Sequence, residues 1–199
     1  MIIRRFSVFL LLLPMILLSN KSFAQEFRWA LAPAIGQSSF NLNEANIIAD
    51  YGSLSSSSSF VDNPTSFGIL GGVQLDEYLS VELDLLMAGD ISANEGGRRF
   101  KLFDVSTLAL TVMLSHPLGE RSRLFARAGV HFWDISQSFG NLDTINTATD
   151  PTWGLGADIN LYGDRSRQLR IQWNHYEYDG IYLESSDTLS LGLLFLLGS

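Results

Sequence analysis

From Glu26 to the end of the chain, apolar side chains recur at every second position in runs of roughly ten residues. Successive side chains of a strand point to opposite faces, so this is the period of a strand and not the 3.6 of a helix. Eight runs can be marked, at 26–40, 65–75, 79–89, 100–115, 122–137, 152–162, 167–179 and 187–197. Between them, 76–78, 116–121 and 163–166 read as turns, 41–64 and 138–151 as long loops, 90–99 as an intermediate one and 180–186 as a short final loop.

The two faces of the runs differ in chemistry. Trp153, Leu155, Ala157, Ile159 and Leu161 alternate with Gly154, Gly156, Asp158, Asn160 and Tyr162; Leu169, Ile171 and Trp173 alternate with Arg170, Gln172 and Asn174. Leu124, Ala126, Ala128, Val130 and Phe132 likewise oppose Phe125, Arg127, Gly129, His131 and Trp133. Val81, Leu83, Leu85 and Met87 oppose Ser80, Glu82, Asp84 and Leu86. A dry core cannot be walled by unpaired Asp, Glu and Arg, each of which costs several kcal/mol to bury. An uncharged stripe is what lipid requires, because a lipid-facing Arg or Lys at mid-bilayer costs about 2–4 kcal/mol. The pattern therefore predicts an all-β fold: an eight-stranded antiparallel up-and-down transmembrane β-barrel, polar inside and apolar outside, with both termini at the short-turn end.

With the polar face inward, the wall carries Arg28, Arg127 and Arg170 against Glu82, Asp84 and Asp158. Three against three forms an interior charge network in which each partner neutralises another. Phe27, Trp29, Trp153, Tyr176 and Tyr178 fall near run ends, where interfacial aromatic girdles belong. His131 is expected in the polar interior and His116 in a turn.

Residues 1–24 read as an export signal: Arg4 and Arg5, an apolar stretch from Phe6 to Leu18, then Ser22-Phe23-Ala24 before a cleavage point at Gln25. The mature domain is then 25–199. The formal charge of −8 falls to −11 without Arg4, Arg5 and Lys21, since 1–24 holds no acid. That balance argues against nucleic acid as a partner. The absence of cysteine removes any disulfide from the fold. After Ala24 no apolar stretch approaches the ~20 residues of a membrane helix.

The connections are charged unequally. The long-loop end carries Glu44, Asp50, Asp62, Asp90, Glu95, Asp143, Asp150, Asp179, Glu184 and Asp187 against Arg98 and Arg99, a net of −8. At the turn end, Asp76, Glu77, Glu120 and Asp164 balance Arg121, Arg123, Arg165 and Arg167. The run Ser55-Ser56-Ser57-Ser58-Ser59 in loop 41–64 reads as a flexible linker.

The export signal, the eight runs, the stretch Trp153-Gly154-Leu155-Gly156-Ala157-Asp158 and the closing Asp187-Thr188-Leu189-Ser190-Leu191-Gly192-Leu193 together resemble the small OmpA/OmpX-type outer-membrane β-barrels. The resemblance spans the whole mature chain. It implies that Ser190, Gly192 and Phe195 form the signal read by the barrel-assembly machinery, although Leu196-Leu197-Gly198-Ser199 follow where relatives end on an aromatic. It implies the cell outer membrane as location and outer-membrane lipid and lipopolysaccharide as surroundings. It also implies a structural or surface-interaction role toward an extracellular ligand or host surface, without enzymatic activity.

Other readings are a narrow pore, a lipid A-modifying enzyme and a soluble periplasmic ligand-binding barrel. For the enzyme, His175 is followed by Tyr176 and Glu177, so no serine stands two positions on, while Asp179, Ser185 and Ser186 lie near in sequence. No His-x-x-x-His, cysteine cluster or spaced carboxylate array marks a metal, and no glycine-rich phosphate loop precedes a helix, so no cofactor is expected.

Overall fold

The computed structural model describes residues 27–52, 54–137, 146–161 and 164–198. The segment 1–24, with its expected cleavage point, lies outside them. The elements are β1 (Arg28–Leu42), α1 (Glu44–Asp50), β2 (Ser59–Val61), β3 (Thr65–Gln74), β4 (Leu79–Glu95), β5 (Arg98–Leu118), β6 (Ser122–Gln137), β7 (Asn146–Leu161), β8 (Asp164–Glu177) and β9 (Leu183–Leu197).

Every strand pairing is antiparallel. The sheet has nine strands in the order β2-β4-β3-β1-β9-β8-β7-β6-β5, with β4 also paired to β5. This corrects the expected closed eight-stranded up-and-down barrel: eight strands run in a ring, and β2 is a ninth that stands outside the consecutive order. The reason lies in unequal strand lengths. Pairing between β3 and β4 stops at Ser66↔Ala88, while β4 runs on to Glu95. The edge left by β4 needs partners for its backbone groups, and β2 supplies them through Ser59↔Asn94, Phe60↔Ala93 and Val61↔Ser92.

Residues 90–99, expected as a loop, are mostly paired backbone. Ile91–Glu95 and Arg98–Phe103 continue the β4–β5 ladder up to a two-residue turn. Gly96 and Gly97, at φ 56° and 78°, make that turn; positive φ at both central positions matches the right-handed twist of the flanking strands.

Loop 41–64 also folds. The Asn43 side chain caps α1 by accepting from the Asn46 amide at 3.2 Å. Ser55 Oγ donates to Glu95 Oε1 at 2.9 Å, and Ser58 Oγ donates to Glu95 Oε2. These contacts hold the serine run, read as a linker, against the end of the β4–β5 hairpin.

The apolar stripes face outward: Leu31, Ile35, Phe67, Ile69, Leu85, Leu110, Val130, Leu155, Ile171 and Leu191 are all exposed. Trp29 and Trp153 are outward and exposed, but Tyr176 and Tyr178 are not girdle residues. Trp173 and His175 occupy the outer positions of β8, so parity puts both tyrosines inside, where they are buried. The interior changes character along its length. Its loop end is an apolar core in which Phe40, Ile47, Tyr51, Leu86, Phe103, Trp133, Tyr178 and Leu183 pack together. Among the described residues no helix is long and apolar enough to cross a membrane.

Candidate functional site

Beneath that apolar core, strand parity turns polar side chains from β4, β6, β7 and β8 toward one another across the ring. Arg170 on β8 is the centre. Its Nε lies 2.7 Å from Asp158 Oδ1 and its Nη2 2.9 Å from Asp158 Oδ2, a two-pronged contact with β7. Its Nη1 donates to Glu82 Oε1 of β4 at 2.8 Å. Arg127 on β6 makes looser contacts, with Nη2 at 3.3 Å from Asp84 Oδ2 and Nη1 at 3.7 Å from Glu82 Oε2. A further 3.5 Å hydrogen bond runs from Arg127 Nη1 to Gln172 Oε1. All five charged side chains are buried.

The sequence-predicted set thus divides. Glu82, Asp84, Arg127, Asp158 and Arg170 are brought together; Arg28 is not. It lines a cavity of about 380 Å³ at the turn end, alongside Gln74, Glu77, Glu120 and Arg123. The third arginine of the network is Arg123, counted from sequence among the charges of the turn end. It lies one residue inside β6, and its Nε donates to Asp158 Oδ2 at 2.8 Å. Three arginines and three carboxylates then neutralise one another in a region where a lone charge would be prohibitive.

Glycine makes room for this arrangement. Gly156 on β7 faces inward beside Phe125, whose ring would collide with a Cβ there. The Arg170 guanidinium carbon lies 4.6 Å from the centre of that ring, a cation–π contact in a desolvated setting.

Above the network the ring is covered. Ile47 of α1 is fully buried, Tyr51 Oη donates to Leu102 O at 3.0 Å, and Leu54 packs into the same core. Asn46 Nδ2 donates to Ile181 O at 2.9 Å, and Tyr182 Oη donates to Asp50 Oδ2 at 2.7 Å, tying α1 to the connection between β8 and β9. Outside the apolar band, Lys101 bridges Asp90 and Asp104 at 2.7 Å each. Hydrogen bonds to Asp104 and Asp90 raise the Lys101 pKa above its ordinary value.

No lipid-modifying triad forms around His175. Its Nδ1 lies 2.9 Å from Asp187 Oδ1 on the outer face, whereas Ser186 is buried inside, its Oγ 3.1 Å from Tyr178 Oη. Asp179 contributes a backbone amide to Asp150 Oδ2 at 3.1 Å. Among the described residues no group of three or more His, Cys, Asp or Glu side chains is placed to hold a metal. On β9, Ser190 is buried with its side chain inward, Gly192 pairs with Ala34 and Arg170, and Phe195 is exposed on the outer face.

The fold is shared with solved outer-membrane proteins at low identity. The N-terminal β-barrel domain of Pseudomonas aeruginosa OprF is 13% identical with a TM-score of 0.55, over 85% of this chain and 97% of that one. Neisserial surface protein A is 13% identical with a TM-score of 0.57, over 85% and 96%. Yersinia pestis Ail, in complex with the heparin analogue sucrose octasulfate, is 13% identical with a TM-score of 0.51, over 85% and 99%. No curated protein matches the chain. The family described as outer membrane protein beta-barrel domain matches residues 9–195, beginning inside the segment read as an export signal. The alternating faces, the ring of strands and this match agree that the protein resides in the outer membrane and belongs to the outer membrane protein beta-barrel domain family.

Proposed function

We propose that this protein is a non-enzymatic, non-conducting scaffold of the outer-membrane surface, similar to the small OmpA/OmpX-type proteins, that presents a folded acidic cap to the exterior. The observation that carries this reading is the double closure of the interior: a neutral charge network around Arg170, and above it an apolar core roofed by α1. Eight strands leave an interior just wide enough for side chains to fill, which disfavours the narrow pore. The cap is held by hydrogen bonds and apolar packing and has Glu44, Asp50, Asp179 and Glu184 on or around it, which suits contacts with a cationic or divalent-bridged surface. The sulfated ligand of Ail is not carried over, because an acidic cap repels a polyanion. Ser190, Gly192 and Phe195 are the residues we assign to recognition by the barrel-assembly machinery.

Liposome swelling tests the closure. Vesicles containing the folded protein should swell in small sugars no faster than protein-free vesicles, and size-dependent swelling would overturn the reading.

A further inference from the structure

At its turn end the mouth of the ring holds a cavity of about 380 Å³, within the roughly 300–1,000 Å³ of small-molecule sites. Arg28 and Gln74, paired in register on β1 and β3, form one wall, and the turns carrying Glu77 and Glu120 form others. Leu75 and Leu196 also line it, and Leu196 packs into a small apolar cluster with Ala32, Leu70 and Leu194. Apolar surface and charges of both signs thus meet in one space.

Charge without a partner distinguishes this cavity from the interior above it. Arg123, also in its lining, is bound to Asp158. No described residue, however, makes an ion pair or hydrogen bond with the Arg28 guanidinium or with the carboxylates of Glu77 and Glu120. Gln74 Oε1 is buried without a hydrogen-bond partner among the described residues. The backbone under both glutamates is nevertheless fixed. Asp76 Oδ1 accepts from the Tyr78 and Leu79 amides at 2.7 Å each, and Ser115 Oγ donates to Glu77 O at 3.2 Å. Asn160 Nδ2 donates to Glu120 O at 2.9 Å, and Asn160 Oδ1 accepts from Gln168 Nε2 at 2.9 Å. Both turns are held while their glutamate carboxylates stay available, which lowers the ordering cost of binding.

We propose that this cavity binds a diamino monocarboxylic acid of the lysine type, with its carboxylate on Arg28, its ammonium groups on Glu77 and Glu120, and its methylene chain against Leu75 and Leu196. A guanidinium offers a carboxylate two parallel donors, and Gln74 Oε1 is a further acceptor for an ammonium group. With Arg123 neutralised by Asp158, the described lining keeps the carboxylates of Asp76, Glu77 and Glu120 against the one guanidinium of Arg28. That excess of acid repels a simple carboxylic acid. Arg28 in turn repels a diamine that brings no anion. A ligand with one carboxylate and two ammonium groups answers both signs and carries the net positive charge that the lining favours. Its affinity is expected to be weak, because Glu77 and Glu120 are exposed to solvent.

The test uses the folded, ¹⁵N-labelled full chain in detergent micelles at constant ionic strength. It is titrated with lysine, with cadaverine, which is lysine without its carboxylate, and with hexanoate, which is lysine without its amines. Lysine should shift the amide resonances of Gln74, Glu77, Glu120 and Asn160 saturably and leave those of Asn46 and Leu54 in the cap unmoved. Cadaverine and hexanoate should bind roughly tenfold or more weakly, the worth of one hydrogen bond to a charged group. Arg28→Gln should remove the preference for lysine over cadaverine. Glu120→Gln, in an exposed turn where it leaves the fold intact, should reduce the preference for lysine over hexanoate. Equal responses to the three compounds, an unchanged preference in either variant, or no saturable shift at the turn end would each overturn the proposal.

Discussion

Phe125 holds the guanidinium of Arg170 over its ring, with 4.6 Å between the guanidinium carbon and the ring centre, and Gly156 leaves the space in which that ring lies. One arginine is thereby bound to β7 and β4 through its charge and to β6 through an aromatic face.

Arg170→Ala should cost about 3–5 kcal/mol of unfolding free energy, because it leaves Glu82 and Asp158 buried with too few cations. Arg127→Ala should cost less, since its contacts run from 3.3 to 3.7 Å rather than 2.7 to 2.9 Å. Urea unfolding in lipid vesicles measures both, and equal, negligible changes would show that the network does not stabilise the fold.

Gly156→Ala should destabilise by roughly 1–3 kcal/mol, as expected for overpacking: its Cβ would fall against Phe125 and 2.5 Å from Ile171 O. Gly71→Ala is the control, since an added Cβ there meets nothing within 4 Å. Comparable losses in the two variants would remove the argument for Gly156.

Ile171→Arg and Leu191→Arg should each lower membrane-folding stability by about 2–4 kcal/mol, whereas Ser39→Arg on the outer face beyond the apolar band should be close to neutral. Gln172→Arg is a poor comparison, because Gln172 touches Arg127 and a second cation there would be repelled. Folding yield into vesicles, read by heat-modifiable migration on a gel, distinguishes the two groups.

The cap should loosen in acid. Hydrogen bonds from Ser58 and then Ser55 hold the Glu95 pKa below its ordinary value. A carboxylate depressed in the folded state contributes stability that is present above its unfolded pKa of about 4.3 and is lost as pH falls through the lower folded value. Amide exchange in 54–58, corrected for its intrinsic pH dependence, should rise over that acid window in the native chain and show no such step in Glu95→Gln. A step that persists in the variant would assign it to another group.

Much of this was legible in the alternation of side chains, which separates the two faces of β6, β7 and β8 residue by residue. The errors come from places where a strand meets its connection. Arg123 falls within the run 122–137 but counts among the turn-end charges there, whereas in β6, which begins at Ser122, parity with Phe125 and Arg127 points it inward. The pair Gly96-Gly97 is itself a two-residue hairpin signal, one that places its flanking residues in β4 and β5. Asn43 followed by Glu44 and an apolar Ile47-Ile48 is a helix-start pattern that the serine run beyond it obscured. The ninth strand had no local signal, since Ser59–Val61 pairs only because β4 outruns β3. Arg28 had the right parity, but its position at the first residue of β1 puts it in the turn-end cavity, away from the network.

The closure of the interior is tested most directly by electrical recording of the purified, folded protein in a planar bilayer at neutral pH. With the Arg170 network and the α1 roof both in place, the native chain should add no unitary current steps to the bare bilayer; stable, reproducible steps from the native chain would contradict the account.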